Sequence, residues 1–155
     1  MYEKDLAQLR ERSPSRRDRI GAPASVEQIR ALDQASKREF GIALPEAYVE
    51  FLRVCNGFRV NDSRILGADA ETLPGGETLP ALDGFLSVNR SRRAEFARSG
   101  LENDVIILSW IDRSTFVMKP NGTFWEQDPL SGEDIEQFMG GTTLIRSVFR
   151  RVFET

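Results

Sequence analysis

The sequence of 155 residues contains no histidine and a single cysteine, Cys55. Without histidine, the chain has no Ser-His or Cys-His catalytic pair, no imidazole general base and no histidine metal ligand. With one cysteine it forms no intramolecular disulfide. An enzyme built from this sequence would have to use carboxylates, lysine, tyrosine or a carboxylate-bound metal, and no motif signals any of these.

Long apolar segments are also lacking. The longest uninterrupted apolar stretch is residues 105–108, whereas a membrane-spanning helix needs about 20 apolar residues. The N-terminus lacks the apolar middle segment of a secretory signal. We therefore expect no membrane association and a cytoplasmic location, with which the single cysteine agrees.

Positive charge is not in excess. The chain carries 21 basic and 24 acidic side chains, a formal net charge of -3, which disfavours direct nucleic-acid binding. The charge is uneven, because residues 61–139 hold 7 basic and 14 acidic side chains. This acidic middle could attract a basic partner, although a solvated face that maintains solubility is an equal alternative.

Phosphate-binding and calcium-binding motifs are absent as well. No Gly-x-Gly-x-x-Gly or Gly-x-x-x-x-Gly-Lys-Ser/Thr sequence occurs, and no Asp-x-Asp-x-Asp-Gly loop. We therefore predict no cofactor and no metal. Glu126 and Asp128 are the carboxylate pair of most interest, because side chains two apart on a strand share a face. The alternative is a solvated strand edge.

The N-terminal segment divides into a helix and a connector. Leu6 and Leu9 can line one face of a short helix, and residues 13–19 form a polar, basic stretch with Pro14. We assign residues 1–24 to this helix and connector, and residues 25–155 to a single α+β domain.

The first strong helix of that domain is predicted by its ends. Ser25 and Gln28 form a capping-box pattern, and Gly41 is placed for a left-handed stop. Between them, apolar residues recur at roughly helical spacing: Val26, Ile29, Leu32, Ala35 and Phe40.

A second helix follows directly. Pro45 is placed for its first position and Asn56-Gly57 for its end. Its apolar face comprises Tyr48, Phe51, Leu52 and Cys55. In apolar company and without histidine, the Cys55 thiol is predicted to be an inert core group.

Beyond Gly57 the pattern changes to strands. We predict a hairpin of residues 58–60 and 64–67 around Asn61-Asp62, then an irregular loop over 68–84. Residues 85–98 are predicted to form an amphipathic helix with one apolar and one solvent-exposed face. The apolar face is assigned to Phe85, Val88 and Phe96, and the solvent-exposed face to Arg90, Arg92 and Arg93.

The C-terminal third predicts three strands and two helices. Residues 105–110, 115–118 and 123–125 form an antiparallel meander, with a tight turn at Asn121-Gly122. Residues 131–139 read as a short helix that carries Ile135, Phe138 and Met139, and Gly140-Gly141 separates it from a final helix over 144–153. Helices precede and follow the antiparallel strands in the sequence, and this order defines the predicted α+β class.

Two stretches resemble the signature of a known family. The run LPEAYVEFLRVCNGF from Leu44 to Phe58, preceded by FGIA at residues 40–43 and followed by the hairpin ending RILG at 64–67, resembles the SUKH superfamily. The later predicted elements follow in the order of that family, so the resemblance covers residues 25–153. Capping and packing alone explain its recognisable positions, Leu44, Pro45, Tyr48, Phe51, Asn56 and Gly57.

The SUKH superfamily joins a fungal cell-wall assembly regulator with many bacterial immunity proteins. The resemblance therefore implies a non-enzymatic cytoplasmic protein that binds and neutralises a cognate toxin, commonly a nuclease or another nucleic-acid-targeting effector. We expect a toxin with a basic surface to contact acids of the middle segment. The candidate contacts are Asp69, Glu71, Glu77 and Asp83 on the long loop and Asp112, Glu126 and Asp128 near the sheet.

Two alternatives stay open. One is a scaffold module of the cell-wall regulator type that has no toxin partner. The other is an enzyme with a carboxylate-bound metal, which no ligand motif supports. The sequence does not fix the oligomeric state.

Overall fold

A computed structural model describes residues 1–12, 19–69, 84–99, 106–111 and 113–154, with the backbone only for 96–99. Its helices are α1 Glu3–Arg12, α2 Val26–Phe40, α3 Glu46–Val54, α4 Phe85–Ser99 and α5 Gly141–Glu154. Its strands are β1 Arg19–Ile20, β2 Phe58–Val60, β3 Ser63–Ile65, β4 Ile106–Ile111, β5 Ser114–Met118, β6 Phe124–Gln127 and β7 Asp134–Phe138.

The strands form one antiparallel sheet in chain order, from β1 at one edge to β7 at the other. The predicted α+β class with an antiparallel sheet between helices is confirmed. No helix in the described ranges is both long and apolar enough to cross a membrane.

The ends of α2 follow their sequence signals. Ser25 Oγ accepts the Gln28 amide at 3.1 Å, and Gly41 adopts φ 71° while its amide bonds to Lys37 O. A side chain at the N-terminus and a left-handed residue at the C-terminus satisfy backbone groups that a helix leaves open. In α3, Pro45 occupies the capping position, one residue before the predicted one.

Helices lie on both faces of the sheet. Neighbouring residues of a strand point to opposite faces, so Phe116 and Thr115 of β5 identify the two sides. The guanidinium of Arg151 in α5 lies 5.2 Å from the Phe116 ring centroid, whereas Arg92 in α4 lies 3.4 Å from Thr115 Oγ1. The helices α5 and α4 therefore pack on opposite sides of β5.

The N-terminal helix belongs to the same core as the rest of the chain. Leu6 and Leu9 of α1 are buried, and the Tyr2 ring lies 5.9 Å from that of Phe51 in α3 and 6.4 Å from that of Phe149 in α5. Within the described residues, the segment before residue 13 thus contributes to one hydrophobic core with the elements that follow residue 25.

The helix predicted over residues 131–139 is wrong. Residues 128–133 form a turn, and β7 pairs with β6 in the register Phe124↔Phe138 to Gln127↔Asp134, with a bulge. Ile135, Phe138 and Met139 match helical spacing, but only Phe138 is buried. Pairing with β6 satisfies the backbone of this segment, so tertiary structure overrides the local pattern.

Two further details differ from the prediction. The sequence pattern assigns Arg92 to the solvent-exposed face of α4, but it is buried against β5. The reason is that α4 packs on the sheet with this side of the helix facing β5. Residues 19–20, assigned to the connector and the segment after it, form β1 at the sheet edge. A strand of two residues carries too little pattern to be detected in sequence.

Candidate functional site

Four of the seven predicted partner contacts lie outside the described residues. These are Glu71, Glu77, Asp83 and Asp112. Their role in binding stays a prediction.

Asp69 is buried and serves as a cap for α4. Its carboxylate accepts the amides of Leu86 at 2.6 Å and Ser87 at 3.0 Å, together with the Ser87 hydroxyl at 2.6 Å. Gly84, the residue before α4, has no side chain to do this, and a Cβ there would clash with the Asp69 carboxylate. Asp69 therefore stabilises the fold and offers little surface to a partner.

Glu126 is 4% exposed and forms an ion pair across the sheet face. The guanidinium of Arg151 in α5 binds both of its oxygens, one at 2.8 Å, and the Ser114 hydroxyl donates to it. Burial alone raises the pKa of Glu126, but the bonds from Arg151 and Ser114 outweigh it and hold that pKa below the ordinary value. The charge is thus neutralised inside the protein.

Asp128 lies in the turn after β6 and organises that turn. Its Oδ1 accepts the amides of Ser131 and Leu130, both at 2.9 Å. These two bonds hold the pKa of Asp128 below its usual range. Glu126 and Asp128 therefore each have their own structural partners. The described residues contain no group of three or more acidic or cysteine side chains suited to a metal ion.

Cys55 is a core group, as predicted. It is fully buried, and its thiol lies 3.2 Å from Gly57 O. Burial raises the pKa of this thiol to about 12. A thiol with so high a pKa is a poor nucleophile at neutral pH.

An open cleft of about 640 Å³ lies between α4 and the sheet. It is lined by Ser91 and Arg92 of α4, Trp110 of β4, Thr115 of β5 and Leu130 of the turn, among others. Burial lowers the pKa of Arg92, and a guanidinium group in a protein keeps its charge. The cleft leaves no clear signal in the sequence, because an arginine among polar neighbours on a helix is typical of a solvent-facing residue.

The remaining candidate surface is the last strand and the turn before it. We define the β7 edge as residues 128–139. Together with Glu126, this stretch carries five acidic side chains and no basic one. The burial pattern of β7 is unusual, since four of its five residues are exposed and only Phe138 is buried.

Apolar side chains protrude from the same edge. Among the residues that the structure describes, five large hydrophobic side chains are exposed, and three of them lie here. Leu130 is 88% exposed, Ile135 56% and Met139 100%. Exposed apolar side chains grouped with charges are typical of surfaces that bind other molecules.

One acid of the β7 edge has a basic partner. Asp134 binds Lys119 Nζ at 2.7 Å and Gln127 Nε2 at 2.9 Å, and Lys119 lies 4.3 Å from the Trp125 ring centroid. The hydrogen bond from Lys119 is the main reason that the pKa of Asp134 is lowered. Asp134 is held in place, while the exposed Glu133 and Glu136 give the β7 edge its negative charge.

The chain matches no protein-family model and no curated protein.

Proposed function

We propose that this protein is a cytoplasmic, non-enzymatic immunity protein that binds a cognate toxin and neutralises it by contact. The observation that carries the proposal is the β7 edge, an exposed sheet edge with acidic and large apolar side chains together. The target is a toxin with a basic surface, of which nucleases and other nucleic-acid-targeting effectors are the expected kinds. The resemblance to the SUKH superfamily supports this proposal.

The residues of that resemblance have structural tasks. Tyr48 is fully buried and donates its hydroxyl to Leu66 O at 2.5 Å, and Asn56 Oδ1 accepts the Ala68 amide at 2.7 Å. Gly57 adopts φ 84° where a Cβ would meet the backbone of Gly67 at 2.7 Å. These contacts connect α3 to residues 66–68, directly after the β2–β3 hairpin. The motif residues therefore stabilise the fold, and a binding site has to involve other, exposed residues.

Physical complementarity gives the proposed mechanism. A nuclease surface that binds nucleic acid is basic, since it has to neutralise phosphates. The carboxylates of the β7 edge would steer such a surface into contact. Leu130, Ile135 and Met139 would then bury apolar area and slow dissociation. Occupation of the basic surface blocks access of nucleic acid without any chemistry by the immunity protein.

Growth and co-purification test the proposal together. The product of the adjacent gene is expressed with and without this protein, and the tagged protein is purified from the co-expressing cells. We expect the adjacent product to arrest growth alone, and the full chain to restore growth and form a stable complex. If neither rescue nor complex is observed, the proposal is wrong. A binding partner without any growth effect would favour the scaffold alternative.

A further inference from the structure

We propose that the partner binds by adding an extended basic segment to the open side of β7 as an eighth strand. This inference deepens the proposed function and rests on it. It names the mode of binding and the chemistry of the partner segment, namely an extended stretch that carries lysine or arginine on both of its faces, together with apolar residues. Three features of the β7 edge support it.

The first feature is the direction of the backbone groups, which follows from the β5–β6 turn. In an antiparallel pair, positions that exchange backbone hydrogen bonds alternate with positions that do not. Lys119 N donates to Thr123 O at 2.9 Å, so the next bonded pair is Val117 with Trp125. Phe124, between Thr123 and Trp125, therefore turns its backbone away from β5 and towards β7.

The same alternation continues into β7. Phe124 and Glu126 both turn their backbone groups to β7, where they lie opposite Phe138 and Glu136. Gln137, between these two, has to direct its N–H and C=O to the open side. Unpaired groups of this kind are a template for another strand.

The second feature is charge. Glu136 pairs with Glu126, whose face is covered by α5, and Asp134 pairs with Gln127 on the opposite face. With Glu133 in the preceding turn, acids lie on both faces of the edge. Successive side chains of a strand point to opposite faces, so an incoming strand that carries basic side chains at neighbouring positions meets a carboxylate on each face.

Charge also argues against a second copy of this chain as the occupant. Pairing of two β7 strands would bring two sets of Glu133, Asp134 and Glu136 together, and like charges across a strand pair are destabilising. The acids thus protect the edge from self-association and still admit a basic strand.

The third feature is the apolar contribution. Ile135 lies within β7, and Leu130 and Met139 lie just before and after it. An added strand would lie beside Ile135, and the partner residues that flank it would be near Leu130 and Met139. Main-chain hydrogen bonds supply affinity in strand addition, and side-chain contacts supply specificity.

A proline substitution at Gln137 tests the backbone contact directly. Gln137→Pro removes the outward N–H without breaking a β6–β7 hydrogen bond, since proline is tolerated on an edge strand when its nitrogen faces solvent. Gln137→Thr is the matched control, because it changes the side chain and keeps the N–H. We expect the proline variant to bind the adjacent-gene toxin at least about 100-fold more weakly, and the threonine variant to bind within about threefold of wild type.

Charge reversal tests the chemistry of the partner segment. Glu133→Lys combined with Glu136→Lys should weaken binding by at least about tenfold at low salt, with a smaller effect as salt rises. Glu11→Lys combined with Glu27→Lys makes the same change of net charge on exposed positions of α1 and α2. This control should leave toxin binding nearly unchanged.

Hydrogen exchange of wild-type protein gives an outcome that does not depend on the folding of any variant. The Gln137 amide should exchange rapidly in the free protein and become protected in the complex. Toxin binding with an unprotected Gln137 amide, or with an unaffected proline variant, would overturn strand addition and leave the immunity function intact. If the Gln137 amide became protected in the protein alone as its concentration rises, the added strand would come from a second copy of this chain. That result would overturn the proposal of a basic partner segment. No toxin binding by wild type would overturn both proposals.

Discussion

At the scale of single residues, Glu126 and Arg151 form an ion pair between β6 and α5. Glu126 is almost wholly buried, whereas Arg151 keeps about 29% of its side chain exposed. A buried carboxylate without its cation is costly, so the pair holds α5 to the sheet at one defined position.

Arg151→Met is expected to lower the free energy of unfolding by about 2–4 kcal/mol at neutral pH, because it leaves Glu126 buried without its counter-ion. Arg150→Met is the matched control, since Arg150 is the neighbouring residue and 67% exposed. It should change stability by less than about 0.5 kcal/mol. Urea unfolding measures both values, and equal effects would contradict the role assigned to the pair.

The same variant has a predicted pH dependence. The pKa of Glu126 is lowered in the folded wild type, so the pair contributes stability above the ordinary glutamate pKa of about 4.3. That contribution is lost as pH falls through the lower, folded pKa. The stability difference between wild type and Arg151→Met should therefore shrink in acid, and unfolding curves from pH 7 to pH 3 measure it.

Cys55 gives a third prediction at this scale. With the pKa of its thiol raised to about 12, only about one molecule in 10⁴ carries a thiolate at pH 8. We expect the native protein to resist a thiol-specific reagent for hours and to react within minutes in urea. Rapid modification of the native protein would show that the thiol is neither buried nor raised in pKa.

At the scale of elements, β7 shows how the same residues can satisfy two patterns. Residues 131–139 present a capping-box signal and apolar residues at helical spacing. The strand forms because β6 offers unpaired backbone groups, and because Phe138 packs 6.0 Å from the Phe116 ring centroid. In the strand conformation Ile135 stays exposed, and it forms part of the candidate binding surface at the β7 edge.

The helix α4 depends on a cap from a distant part of the chain. Asp69→Ala leaves the buried Leu86 amide without its acceptor, and we expect a loss of about 1–2 kcal/mol in the free energy of unfolding. Hydrogen exchange of the Leu86 and Ser87 amides should accelerate more than that of α5. Uniform acceleration across both helices would contradict a local capping role.

At the scale of the whole molecule, α1 contributes buried side chains to the hydrophobic core. Leu9 is fully buried, so Leu9→Ala should cost about 2–5 kcal/mol. Leu130→Ala removes the same atoms from a side chain that is 88% exposed, and should change stability by less than about 0.5 kcal/mol. Thermal unfolding compares the two, and a silent Leu9→Ala would show that α1 does not stabilise the core.

The sequence by itself determined the elements whose signals are local. The capping pattern at Ser25 and Gly41, the turn at Asn61-Asp62 and the apolar spacing of the last helix predicted α2, the β2–β3 hairpin and α5. It also predicted the α+β class and the buried state of Cys55. Each of these depends on a few neighbouring residues or on composition, which the sequence displays directly.

Only the tertiary structure decided which polar residues are buried and which edge is open. Asp69 and Glu126 look like surface acids in sequence, but their partners, Leu86 and Arg151, lie 17 and 25 residues away. The strand β7 likewise exists because β6 lies beside it. Contacts between distant segments fix the charges, backbone groups and apolar side chains that remain on the surface, and these determine what the protein can bind.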